Sequence, residues 1–128
     1  MFLEIEQTSP IAIYTQLTSQ IKKAIVKETL VAGDDLPSVR VLASDLGVNM
    51  HTVNKAYNIL TEEGLLLKSK KGYVVSPKIN RQTDEEQEDE MKKRLEDVLV
   101  DILVHNHSEK TVQEWLSELT VALRKGDN

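Results

Sequence analysis

Apolar residues recur at helical spacing through residues 36–60, LPSVRVLASDLGVNMHTVNKAYNIL, and this passage predicts the elements around which the rest is arranged. Val39, Leu42, Ala43 and Leu46 fall on one face. Val53, Ala56, Tyr57 and Leu60 follow at i, i+3, i+4 and i+7, the stripe of an amphipathic helix. Pro37 keeps the entering chain out of the first helix, and the Ser38 hydroxyl is suited to accept an orphan amide of its first turn. Gly47 stands where a helix ends in a left-handed residue, which glycine adopts at least cost, and Asn49 is placed to cap the next helix. The second helix turns Met50, His51, Asn54, Lys55 and Asn58 away from the apolar stripe; none is acidic. Two short helices joined by a tight glycine turn follow the helix-turn-helix plan, whose second helix enters a DNA major groove.

The flanking patterns extend this plan. Residues 2–5 alternate as a short edge strand would. Ser9-Pro10 marks a helix start, and Ile13, Leu17, Ile21 and Ala24/Ile25 make a stripe through about Lys27. Gly33-Asp34-Asp35 reads as a turn. Glu62-Glu63-Gly64 closes the second helix of the central pair. In residues 65–76, LLLKSKKGYVVS, two β-prone runs flank Ser69 to Gly72 and predict a hairpin with Lys68, Lys70 and Lys71 crowding its tip. Residues 77–90 read as a linker. Its DEEQEDE run holds no apolar residue and is either solvated chain or the acidic first turns of the next helix. From Met91 the period is helical again: Leu95, Val98/Leu99 and Ile102/Leu103, then a break at Asn106-His107-Ser108, then Val112, Trp115/Leu116, Leu119 and Ala122/Leu123. The predicted fold is mostly α with a small β-hairpin: a winged helix-turn-helix over 1–77, an acidic linker over 78–90 and a two-helix hairpin over 91–125. Two short helices cannot bury such apolar faces alone. They must pack on the winged part or on another chain. Because a linker separates the modules and most soluble oligomers are twofold homodimers, Leu95, Val98, Leu99, Ile102, Leu103, Val112, Trp115, Leu116 and Leu119 are expected to form an interface with a second copy.

Charge bears on the partner through its distribution. The 128 residues carry a net charge of −5, which by itself disfavours nucleic acid. Residues 1–83, however, hold 10 Lys+Arg against 8 Asp+Glu, and residues 84–128 hold 6 against 13. The predicted winged part is mildly basic and the acidity sits in the tail, where it discourages loose phosphate binding without preventing a positioned contact. With no cysteine, neither a disulfide framework nor a thiolate metal site is open to the chain. No apolar run approaches the roughly 20 residues needed to span a bilayer, and the N-terminus lacks the basic start and apolar core of a signal peptide. These features predict a cytoplasmic protein without membrane contact.

The run LPSVRVLASDLGVNMHTVNKAYNILTEEGLL, with Ile13-Tyr14-Thr15-Gln16-Leu17 before it and Lys71-Gly72-Tyr73-Val74-Val75 after it, resembles the DNA-binding domain of GntR-family bacterial transcriptional regulators. Leu-Pro-Ser-x-Arg, Leu-Ala, Leu-Gly-Val, Thr-Val, Ala-Tyr and Glu-Gly stand in the family's order and spacing. A two-helix tail of about 45 residues is similar to that of the YtrA subfamily, which implies dimerisation through the tail and repression of transporter-type operons. The resemblance implies a DNA contact for Arg40, whose forked guanidinium suits a phosphate or a base; its bland alternative is an ion pair with Asp45 or a glutamate. Asn49, Met50, His51 and Thr52 occupy the first turn of the recognition helix, where side chains meet base edges and phosphates. Asn54 lies one turn on and suits adenine, while Ser38 and Lys55 suit phosphate. Lys70 and Lys71 at the hairpin tip suit phosphate, and Gly72 gives backbone access. Tyr57 is read as core. The chain departs from the family pattern at Asn49, Met50 and His51, where Arg or Ser is frequent, and at the wing, which keeps only the second glycine of Gly-x-Gly.

His105 and His107 form a His-x-His beside Glu109 in a predicted turn, and side chains two apart diverge in a helix, so no metal is expected. No spacing suggests a nucleophile with its base, or a carboxylate pair in a pocket. The expectation is thus a non-enzymatic dimeric repressor of a pseudo-palindromic double-stranded operator, without cofactor and with no assignable effector. The alternative is a winged-helix module that binds protein, because a fold does not fix its function.

Overall fold

The computed structural model describes residues 3–124. The chain divides into two compact units, residues 3–81 and 82–124 of those described. The first contains α1 (Ile13–Val26), α2 (Val39–Leu46), α3 (Met50–Glu62), β1 (Leu66–Ser69), β2 (Gly72–Val75) and a 3-10 turn, Lys78–Arg81. The second contains α4 (Glu85–Val104) and α5 (Glu109–Arg124).

The apolar stripes read from the sequence form the core of the first unit. Leu17 and Ile21 of α1 meet Val53, Ala56, Tyr57 and Leu60 of α3, and all are fully buried together with Leu66 of β1. Each buried side chain of Leu or Ile size withdraws apolar surface worth roughly 1.5–3 kcal/mol, so α3 is fixed from one face only. Leu42 and Ala43 bring α2 onto the same cluster. The α2–α3 turn forms as the glycine and cap signals predict. Gly47 takes φ +68 and ψ +36, and the Val48 amide donates to the Ala43 carbonyl at 3.0 Å, the six-to-one bond of a left-handed helix ending.

The N-terminal segment departs from the expected strand and helix start. Residues 3–5 form no strand, and Phe2 lies outside the described residues. The Glu4 amide donates to Gln20 Oε1 at 2.8 Å and the Gln20 Nε2 donates back to the Glu4 carbonyl; the Glu6 amide and carbonyl are met in the same way by Gln16 at 2.9 and 3.1 Å. A carboxamide carries the same donor and acceptor as a peptide. Two glutamines one helical turn apart thus replace the missing strand neighbour and let Leu3 reach the core. Helix α1 begins at Ile13 rather than at Ser9-Pro10, because the Ser9 hydroxyl accepts the Ile11 amide at 3.1 Å and closes a local turn first.

Beyond α1, the Gly33-Asp34-Asp35 turn does more than reverse the chain. The Gly33 amide donates to the Val75 carbonyl at 2.8 Å, Val75 donates to Asp34 at 2.9 Å, and Leu36 donates to Tyr73 at 2.9 Å. With the antiparallel bridge between Asp35 and Val74, residues 33–36 cover the second edge of β2. The hairpin itself pairs Leu66 with Val75 and Ser69 with Gly72, as predicted.

Gly64 ends α3 at φ +79, and a Cβ built there would stand 2.5 Å from the Asn80 carbonyl oxygen. Gly64→Ala is expected to destabilise the first unit by at least about 2 kcal/mol, from left-handed strain plus displacement of the 3-10 turn. Gly33→Ala, also left-handed but with nothing within 4 Å, is expected to cost about 1–2 kcal/mol. Urea melts of the two variants check the ranking.

In the second unit the acidic run forms the first turns of a helix, the second of its two expected readings, and this corrects the linker expected over 78–90. Asp84 Oδ1 accepts the Gln87 amide at 2.8 Å and Gln87 Oε1 accepts the Asp84 amide at 2.9 Å, a reciprocal capping box. Glu85, Glu86 and Glu88 then lie in the first turn of α4, where the helix dipole favours negative charge. A stretch without apolar residues has the composition of solvated chain, yet the same composition starts an exposed helix well. Helix α4 therefore begins before Met91, and the linker shrinks accordingly. At the bend, Asn106 takes φ +67, and the Ser108 hydroxyl accepts the Thr111 amide at 3.2 Å, the cap expected of it. The His107 ring meets Trp115 edge-on at 4.9 Å. The two helices do not pack along their lengths as a hairpin would; the close helix pairs among the described residues are α1 with α3 and α2 with α3. Val112 is the one buried apolar side chain of α4 and α5, with Leu99, Ile102 and Leu123 half-buried. The period fixes which residues share a face, but it does not say that the faces of α4 and α5 meet each other.

Candidate nucleic-acid interface

The candidate residues of α2, α3 and the hairpin are all carried by the first unit, and each is exposed or half-exposed. Ser38 Oγ accepts the Val41 amide at 3.1 Å and starts α2. Its hydroxyl hydrogen remains available to an outside acceptor. Arg40, in the first turn of α2, pairs with neither Asp45 nor a glutamate among the described residues; the ion pair there is Lys22 with Glu63 at 2.8 Å. The bland alternative for Arg40 is therefore absent, and its donors face solvent.

Asn49 Oδ1 accepts the His51 amide at 2.7 Å and so caps α3, which leaves its NH2 and the second lone pair of that oxygen open. Met50, His51, Asn54 and Lys55 are exposed and Thr52 is half-buried. The Lys55 ammonium stands 3.9 Å from the centre of the Tyr14 ring. A cation over an aromatic face is held by the ring quadrupole, so α1 restrains a lysine of α3. Sequence reasoning missed this role of Tyr14, because the two residues are far apart in the chain and neither pattern names the other.

Tyr57 is core, as its place on the apolar stripe predicts, and it also fixes the geometry of the face. Its hydroxyl donates to the Pro37 carbonyl at 2.8 Å, and its ring meets Tyr73 of the hairpin edge-on at 4.8 Å. One buried side chain thereby ties α3 to the entry of α2 and to the wing. Burial, followed by the neighbouring Tyr73, raises its hydroxyl above the ordinary tyrosine value, so it stays a neutral donor at physiological pH.

At the hairpin tip, the Ser69 hydroxyl accepts the Lys71 amide at 3.3 Å and donates to the Gly72 carbonyl at 3.1 Å. Gly72 takes φ +135 and nothing lies within 4 Å of where its Cβ would be. Lys70 and Lys71 are exposed, while Lys68 leans toward Tyr73, 5.7 Å from the ring centre. The surface so assembled offers a helix edge free of acid, an arginine before it and two lysines on the wing.

Residues 13–75 match the gntR family of bacterial regulatory proteins, from the first residue of α1 to the last of β2. A solved structure of YtrA from Sulfolobus acidocaldarius, a GntR-family transcription factor, is 38% identical, with 81% of this chain and 99% of that one covered at a TM-score of 0.63. The chain belongs to the GntR family. Its similarity to another YtrA, the transcriptional repressor of Bacillus subtilis strain 168, runs through the tail as well: 29% identity over 97% of this chain and 96% of that one. A transcriptional antiterminator from Listeria monocytogenes EGD-e has the same fold throughout, with a TM-score of 0.90, 26% identity and coverage of 100% and 96%. The AraR DNA-binding domain, solved in complex with operator ORX1, matches 59% of this chain and 99% of its own at 26% identity and a TM-score of 0.51. GntR membership thus coincides with the winged unit, and the YtrA likeness continues through α4 and α5.

Proposed function

We propose that this GntR protein is a dimeric repressor that reads a pseudo-palindromic operator. Each protomer places α3 in a major groove, with Asn49, Met50, His51, Thr52 and Asn54 toward the bases. Ser38, Lys55, Lys70, Lys71 and the Gly72 backbone hold phosphates, and Arg40 reaches a phosphate or a base. The single observation that carries this reading is the outward edge of α3 beside Arg40: exposed, free of acid and outside the core of its unit. Phosphate contacts supply affinity and register, while base edges supply sequence. The exposed residues Leu95, Val98, Leu103, Trp115, Leu116 and Leu119, with Leu99, Ile102 and Val112 beside them, form the twofold contact. The length of the tail and its likeness to YtrA proteins support a transporter-type operon as target and a cytoplasmic site of action. The regulatory act requires neither cofactor nor metal in this reading.

Selection of bound genomic fragments, followed by anisotropy titration over a range of salt, tests it. The wild type is expected to retain a specific fragment and to lose affinity as salt rises. Lys70→Ala with Lys71→Ala is expected to weaken all sequences alike and to flatten the logarithmic salt slope by about two, since each phosphate left without its lysine removes roughly 0.9 from the slope. An unchanged slope removes the wing from the interface. No retained fragment even at low salt, together with a salt-insensitive protein partner, reverses the reading in favour of a protein-binding module.

A further inference from the structure

Helix α3 spends its apolar side chains on the core except for Ile59, which is half-buried outside the cluster, and Met50, the most exposed of them. Val53, Ala56, Tyr57 and Leu60 are buried, whereas Met50 is 46% exposed and lies outside the apolar cluster. It is the first residue of the helix, and Asn54 stands one turn on along the same edge. No feature of the fold requires a thioether there. The cap that starts the helix comes from Asn49, and the entry angle is set by the Gly47 turn.

The base edges facing a major groove are donors and acceptors with one apolar exception, the thymine 5-methyl group. A long, flexible, polarisable side chain at the start of a recognition helix offers no hydrogen bond to a guanine or an adenine, but it can follow the surface of a methyl group. We infer that Met50 is a specificity-determining residue that reads one thymine in each half-site through its 5-methyl group. This rests on the reading of α3 as the recognition helix.

The test uses the full-length protein and a selected operator duplex in which each thymine is replaced in turn by deoxyuracil, which removes the methyl and keeps every hydrogen bond. One thymine per half-site is expected to lose about fourfold in affinity on this change, the factor that corresponds to withdrawing one carbon unit from water. The Met50→Ala protein is expected to bind the two duplexes equally. Met50→Leu, which keeps an apolar side chain, is expected to retain part of the discrimination. A wild type indifferent to every deoxyuracil overturns the assignment, and so does a Met50→Ala protein that still discriminates, since the methyl is then read by another side chain. In both cases binding to the unmodified duplex leaves the recognition-helix reading standing; failure to bind that duplex at all removes both.

Discussion

Leu95→Asp combined with Leu119→Asp is expected to give a protein that sediments as a monomer and binds its operator on the order of a hundredfold or more less tightly. The basis is the state of the second unit. Leu95 and Leu119 are 52% and 60% exposed, and Val98, Leu103 and Leu116 are each more than half exposed, while Val112 is the only buried apolar residue of the two helices. A unit with so little internal core has its apolar area available to a second copy. Carboxylates introduced there would have to be desolvated without partners, which abolishes the contact instead of loosening it. Because both positions are exposed, the helices themselves should persist, and unchanged helical circular dichroism checks that. Leu99 and Ile102 are poorer choices: they are half-buried within the unit, so charge there would unsettle the protomer as well. The weaker binding follows from linkage. Two half-sites engaged by a joined pair bind as one event followed by an intramolecular one, and that gain vanishes when the pair separates. A double variant that still sediments as a dimer takes the twofold contact away from α4 and α5.

The wing and the central helices were legible in the sequence because local signals agreed with burial. Ser38, Gly47 and Asn49 cap and punctuate where the pattern places them, and the i, i+3, i+4 apolar set of α3 is the set that is buried. The apolar periods and turn signals carried the order of elements, and the resemblance named Arg40. Contacts between residues distant in sequence were not legible. Gln16 and Gln20 serve as a strand edge for residues 4–6, Tyr14 holds Lys55, and residues 33–36 pair with β2. Each joins groups whose chemistry suits many neighbours, so spacing cannot choose among them. The start of α4 failed for a different reason. A helix exposed on nearly all sides shows little amphipathic contrast in its first turns, and only the Asp84–Gln87 spacing of the capping box marks its beginning.

Arg40→Ala is expected to cost the operator complex about 1–3 kcal/mol, roughly five- to 150-fold in affinity, with little change in stability. The side chain is exposed, makes no ion pair among the described residues and lies outside the core, so its removal deprives the folded chain of almost nothing. Its position gives it leverage. Pro37, whose carbonyl is held by Tyr57, and Ser38, which caps α2, both precede it by a few residues. The backbone that launches Arg40 is therefore fixed to the recognition helix, and a guanidinium so mounted reaches a ligand without first ordering a loop. Arg40→Lys separates charge from geometry. Lysine keeps the positive charge but offers a point donor in place of a planar fork. If Arg40 makes a forked contact with a base or phosphate, Arg40→Lys is expected to retain the wild-type salt slope yet recover only part of the affinity that Arg40→Ala removes. Full recovery would reduce Arg40 to a simple counter-charge. An Arg40→Ala protein that binds the operator as tightly as the wild type would exclude the start of α2 from the interface and leave α3 and the wing to hold the DNA alone.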